Sequence, residues 1–173
     1  MKSSSERAIT SWLVTVCVLI MIMVLLGGFV RLSRAGLSIV EWKPISGVVP
    51  PVGEVAWQAE FEKYQQTPEY QKVNQHFTLD DYKRIFYIEY IHRLIARMAG
   101  LLVVIPLFYF VWKKWIPWRK SGVYWLIAAL FGFQGFLGWY MVSSGLENRP
   151  TVSHFRLTIH LLTALSLLAL TLW

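Results

Sequence analysis

The chain has 173 residues, 55% of them hydrophobic and 16% charged, and a formal net charge of +7. Its mean hydropathy of +0.45 is too high for an ordinary soluble domain of this length. The positive charge does not read as a nucleic-acid surface. It gathers at Lys2 and Arg7, and at Lys113, Lys114, Arg119 and Lys120, while seven acidic residues cancel the seven basic ones in 31–84.

About 20 consecutive apolar residues cross a bilayer as a helix, and four runs meet that length, at roughly 9–30, 94–112, 123–142 and 157–173. Basic residues in short links mark the inner side of a membrane. The N-terminus and the 113–122 link are therefore expected inside, and the 31–84 segment and the 143–155 loop outside. The first run has no small-residue cleavage site after it and reads as a retained span. Cys17 lies within that run; as the single cysteine it forms no intrachain disulfide and reads as packing.

The outer segment is punctuated by Pro44, Pro50, Pro51 and Pro68 and carries Trp42, Trp57, Phe61, Tyr64 and Tyr70. Such aromatic residues suit a structure resting on the outer interface. Residues 55–66 read as a short amphipathic helix. Thr67-Pro68-Glu69 reads as a helix start with Thr as cap and Pro in the first turn. Thr78-Leu79-Asp80-Asp81 resembles a capping box with Asp in place of Glu. A helix from there to Trp112 is about 52 Å long at 1.5 Å per residue. Its first turns must therefore project outward, which puts the second span at roughly 85–112 and His92 near the outer hydrocarbon boundary.

The third span ends in Gly138-Trp139-Tyr140-Met141-Val142-Ser143-Ser144-Gly145-Leu146, echoing Gly28 to Leu37 at the end of the first. The helix after each carries a histidine near its outer end, His92 and His160, with Ala96 and Ala164 four residues on. Two pseudo-symmetric hairpins would give this pattern. The expected fold is thus an all-α membrane protein: one four-transmembrane-helix bundle over 1–173, the fourth span running 154–173, with a long, partly helical outer loop at 31–84.

Ionisable residues inside a span are costly and face the bundle interior. Two imidazoles at one depth on neighbouring helices can be the axial ligands of a haem iron. The competing readings are cross-helix hydrogen bonds, interfacial anchoring, or zinc, which would want further ligands. Glu89 lies one turn outward from His92 on the same face. It could accept protons, order water or stabilise charge on a macrocycle, or simply pair with Arg93, its i+4 neighbour. Arg31, Arg34, Arg93, Arg97 and Arg156 could meet haem propionates or reach for lipid headgroups. Arg97 is the deepest and the most in need of a partner. Gly132, Gly135 and Gly138 allow tight helix packing or close approach of a ring. Gln134 needs a partner within the bundle.

Six strings carry a resemblance to a known family: GFVRLSRAGLS at 28–38, WKPISGVVPP at 42–51, YQQTPEYQKVN at 64–74, EYIHR at 89–93, QGFLGWYMV at 134–142 and RLTIH at 156–160. In this order they resemble the N-terminal half of the haem A synthases, and the cysteine-free outer loop is similar to the proteobacterial and mitochondrial branch. The resemblance implies an oxidoreductase that converts a ring methyl of haem O to a formyl group, making haem A for terminal oxidases. It implies His92 and His160 as the haem-iron ligands of this half and Glu89 as the acidic residue beside haem O. Arg31, Arg93, Arg97, Arg156 and Gln134 are the candidate contacts to the rest of the haem. A second half holding haem b is expected but absent from the sequence, which stops in apolar residues 13 positions past His160 and reads as a fragment.

The implied setting is a bacterial plasma membrane, in preference to a mitochondrial inner membrane. The implied partners are haem O, membrane lipid, a haem O synthase and a second copy of the chain, with no nucleic acid. The alternatives are a bis-histidine haem b electron carrier and, without haem, an assembly scaffold.

Overall fold

A computed structural model describes residues 3–147 and 149–173; Lys2, counted above for orientation, lies outside them. Six α-helices follow in order: α1 (Ser4–Leu32), α2 (Glu54–Gln65), α3 (Pro68–Lys72), α4 (Leu79–Trp112), α5 (Gly122–Glu147) and α6 (His154–Leu172). Helices α1, α4, α5 and α6 are long and apolar enough to cross a membrane. The starts expected from the sequence are present. Thr67 accepts from the Tyr70 amide. Thr78 and Asp81 form a reciprocal capping box that opens the 34-residue α4. Two spans are longer than their apolar runs. Helix α1 begins at Ser4, where Ser3 and Glu6 form a second capping box, and α5 continues to Glu147 and absorbs the first third of the expected 143–155 loop.

The spanning helices pack in a ring, α1 against α4 and α6, and α5 against the same two. Hairpins α1/α4 and α5/α6 thus lie side by side, as the internal repeat implied. The two histidine-bearing helices, α4 and α6, are diagonal. This corrects the expectation of neighbouring helices, because each hairpin places its histidine on its second helix and the ring alternates first with second.

The bundle is unevenly packed along its length. Trp12, Val16, Ile20, Val103, Leu107, Phe110, Ile116, Ile127 and Leu167 form a buried cluster in the half nearer the 113–122 link. The Trp12 indole N–H donates to the Leu102 carbonyl at 2.8 Å, which satisfies the one polar atom that an aromatic of this size brings into an apolar core. Cys17 is buried close by, in keeping with a packing role.

A second cluster lies outside the membrane half: Val30, Ala35, Trp57, Phe61, Tyr64, Tyr82, Ile85 and Phe86. The outer aromatics therefore do not spread along an interface. They fold onto the projecting turns of α4, with Tyr64 stacked on Tyr82 at 5.1 Å, because burying rings against one another removes more apolar surface from water than an interfacial position would. Trp42 is the exception; it is half exposed and packs on Trp139 of α5 at 5.7 Å.

Candidate functional site

Between the two clusters lies a thinly packed layer. No residue is fully buried between Ile20 and Val30 on α1, between Glu89 and Ala99 on α4, between Ile127 and Leu137 on α5, or ahead of Leu167 on α6. His92 and His160 stand in this layer. They lie on diagonal helices. The His160 Nδ1 is buried with no partner. Among the described residues, no group of three or more His, Cys, Asp or Glu side chains is placed to hold a metal ion. The donor set is therefore two imidazoles, which suits the two axial positions of a haem iron and falls short of the three or four protein ligands that zinc takes.

The residues flanking the histidines are small. A Cβ built on Gly27 would lie 3.4 Å from His92 Nε2, and one on Gly138 would lie 3.7 Å from His160 Cε1. The repeat aligned Gly28 with Gly138, but Gly28 faces open space. It is Gly27 that meets the imidazole. Gly132 and Gly135 also face open space, so of these three glycines only Gly138 meets a histidine. Beside His92, Ala99 is buried whereas Ala96 is exposed.

Glu89 is 2% exposed and saturated with donors. One oxygen accepts from the Ser38 hydroxyl at 2.7 Å and the Ile39 amide at 2.9 Å. The other accepts from Arg93 Nε at 2.9 Å and Nη2 at 2.5 Å. Arg93 Nη2 also donates to the Ile39 carbonyl at 3.2 Å. The pairing of Glu89 with Arg93 is thus present, and together the two side chains clasp the start of the outer segment onto α4. Ser38, fully buried, was not singled out from the sequence; a small polar residue just past a predicted span is too common a signal to mark it.

The remaining candidates separate into two groups. Arg97 donates to the Pro44, Lys43 and Arg93 carbonyls, each at 2.9 Å. Its missing partner is outer-loop backbone. Gln134 donates to the His160 carbonyl at 3.2 Å and so ties α5 to α6. Arg31 and Arg156, in contrast, gather at the outer mouth of the bundle. Arg31 Nη2 lies 3.4 Å from His154 Nδ1. Arg156 lies over the Tyr140 ring at 3.9 Å, and its Nη1 donates to the Tyr140 carbonyl and the Ser143 hydroxyl. A cavity of about 430 Å³ opens there, lined by Ser144, Arg149, His154 and Arg156 among others. Arg34 is exposed just past the end of α1.

One buried acid escaped the sequence reading. Glu69, 4% exposed, accepts from the Tyr64 hydroxyl at 3.2 Å, which in turn accepts from Asn74 at 2.8 Å. Burial pushes its carboxyl up to about 7; the Glu89 charge adds to this, while the Tyr64 hydrogen bond and Arg34 oppose it.

The chain matches the sequence model of the COX15-CtaA family, described as cytochrome oxidase assembly protein, over residues 10–173. It is 48% identical over 159 residues to a protein named Heme A synthase from Rickettsia bellii (strain OSU 85-389), covering 92% of this chain and 47% of the relative. It is 48% identical over 166 residues to one of the same name from Sphingopyxis alaskensis, covering 96% and 47%. For the one from Rickettsia akari the identity is 50% over 159 residues, covering 92% and 47%. The chain spans about half the length of these curated relatives. No solved structure matches it.

Proposed function

Because the chain belongs to the COX15-CtaA family of cytochrome oxidase assembly proteins, we propose that it is the haem O-binding, N-terminal half of a haem A synthase. In this reading it is part of an oxidoreductase that turns one ring methyl of haem O into a formyl group. The observation that carries the reading is the pair His92 and His160, each facing a glycine of its hairpin partner, in a thinly packed layer between two well-packed ones.

In this proposal His92 and His160 would be the residues that hold the haem iron. Arg31 and Arg156 receive the propionates at the outer mouth, since an arginine fork matches carboxylate geometry. Arg93, Arg97 and Gln134 maintain the scaffold, their donors being committed to Glu89 and to backbone carbonyls. Glu89, whose two oxygens accept from Ser38, Ile39 and Arg93, presents a carboxylate one turn outward from His92. That charge favours positive charge developing on the ring during oxidation of the methyl, a preorganised electrostatic role.

The same reading places the N-terminus and the 113–122 link on the cytoplasmic side of a bacterial plasma membrane. It assigns haem b to the second half of the full-length protein and delivery of haem O to a haem O synthase.

The direct test is to express the chain in a membrane together with a source of haem O, purify it, extract its haem and weigh it. Haem O or haem A in the extract supports the proposal. Exclusive recovery of haem b with haem O available would favour an electron carrier and sink the substrate assignment.

A further inference from the structure

Eight glycines lie in the four spanning helices. A Cβ on Gly28, Gly100, Gly122, Gly132 or Gly135 would meet nothing within 4 Å. On Gly145 it would collide with Leu37. Only Gly27 and Gly138 would meet an imidazole, and the two imidazoles they meet are His92 and His160. Each glycine sits on the hairpin partner of its histidine, so the relation occurs once in each hairpin.

We propose that Gly27 and Gly138 are positioning residues for a flat iron tetrapyrrole held by the two histidines, kept as glycine for the ligand and not for helix packing. The proposal rests on the ligand reading given above. Glycine inside a helix costs roughly 0.5–1 kcal/mol relative to alanine. Spanning helices accept that cost where backbones approach closely. That reason is missing here. The contacts of 3.4 and 3.7 Å are ordinary van der Waals distances, and no backbone atom of another helix lies within 4 Å of either Cβ position. Alanine would therefore fit both sites in the protein alone.

It would not fit beside a bound macrocycle. A ring coordinated by an axial imidazole spreads at right angles from the ligating nitrogen and passes over whatever flanks it. The atom nearest to a Gly27 Cβ is His92 Nε2, a nitrogen able to ligate the iron. A methyl group there stands inside the footprint of the ring. Alanine at either position must displace the ring or turn the imidazole, and both weaken or alter axial ligation.

The test is titration of the 173-residue chain, in detergent or nanodiscs, with ferric protoporphyrin IX. The set comprises wild type, Gly27→Ala, Gly138→Ala and the controls Gly28→Ala and Gly135→Ala. For Gly27→Ala and Gly138→Ala we expect a Kd raised about tenfold or more and shifted low-spin Soret and electron paramagnetic resonance signals. Without haem, both should unfold at or above the wild-type temperature. The controls should bind as wild type does. Wild-type affinity and spectra in Gly27→Ala and Gly138→Ala would overturn the proposal. So would a loss of stability without haem in these two variants, since it would show that the glycines serve packing. His92→Ala and His160→Ala separate the two levels of inference: wild-type binding in those variants would remove the ligand reading itself.

Discussion

Leu107 and His92 lie on the same helix, about four turns apart, in surroundings that differ in kind. Leu107 is fully buried in a cluster to which all four spanning helices contribute: Trp12, Val16 and Ile20 from α1, Phe110 from α4, Ile127 from α5 and Leu167 from α6. From His92 to Met98 α4 contributes no fully buried side chain, and what faces the imidazole is a glycine. In the first region each side chain is there to be packed against. In the second no side chain other than Glu89 at its edge is fully buried, although protein interiors are otherwise close-packed. A fold can thus separate stability from binding along one helix axis, and substitutions at the two depths should fail in different ways.

The largest effect is expected at the histidines. His92→Ala and His160→Ala should each weaken haem binding by about 100-fold or more, roughly 3 kcal/mol, while leaving the haem-free chain folded. Haem stoichiometry and the Soret band report the first, circular dichroism the second. Normal haem content in either variant would end the distinction between the two layers.

Leu107→Ala should do the converse. Removing a fully buried leucine costs about 2–5 kcal/mol, so the thermal transition should fall while the haem affinity of the folded fraction stays near wild type. A variant that lost haem without losing stability would show that the inner cluster reaches further into the site than its contacts indicate.

Glu89→Gln sharpens the comparison at the outer edge of the thin layer. The amide keeps a hydrogen bond to Ser38 but gives up the ionic pair with Arg93 and the fixed charge. In a full-length enzyme carrying the change, haem should remain bound while product per mole of folded protein falls at least about tenfold, roughly 1.4 kcal/mol in the barrier. Undiminished turnover would leave Glu89 as a clasp for the outer segment and nothing more.

The smallest effect is expected at Glu69, in the outer cluster. Its carboxyl titrates near 7 in the fold, above the ordinary value of 4.5. The folded state therefore binds the proton more tightly than the unfolded state does. The stability it contributes is complete below about pH 4.5 and is lost as the pH rises through 7. Amides of residues 64–74 should exchange faster relative to the unfolded chain at pH 8 than at pH 5, by an amount on the order of 1 kcal/mol. Glu69→Gln should flatten that dependence; an equal slope in wild type and variant would assign it to another group.

Much of this organisation was readable in the sequence because its causes are local. Span length follows from apolar runs, and the start of α4 from Thr78 and Asp81. What escaped depends on rotation or on distant partners. Whether Gly27 or Gly28 faces His92 is a matter of about 100° around α1, which no short run of residues specifies. Arg97 ends on backbone carbonyls, acceptors that every residue carries, so its sequence holds no trace of its partner. Ser38 meets Glu89 across 51 positions. Glu69 reads as an ordinary surface acid in the first turn of a short helix until Tyr64 and its neighbours close over it.

Gly145 has a bearing on the order in which the molecule is made. Its missing side chain is what lets Leu37 seat at the outer end of α5, with a Cβ there falling 2.6 Å from Leu37 Cδ2. Leu37 leaves the ribosome 108 residues before Gly145 does, an interval of roughly 5–20 s at common rates of synthesis. Throughout it the first hairpin has its own outer cluster but no second hairpin to close against. His92 is then open sideways to lipid until the later helices arrive, so the order of translation sets a window in which an apolar ligand can enter the bundle laterally from the membrane.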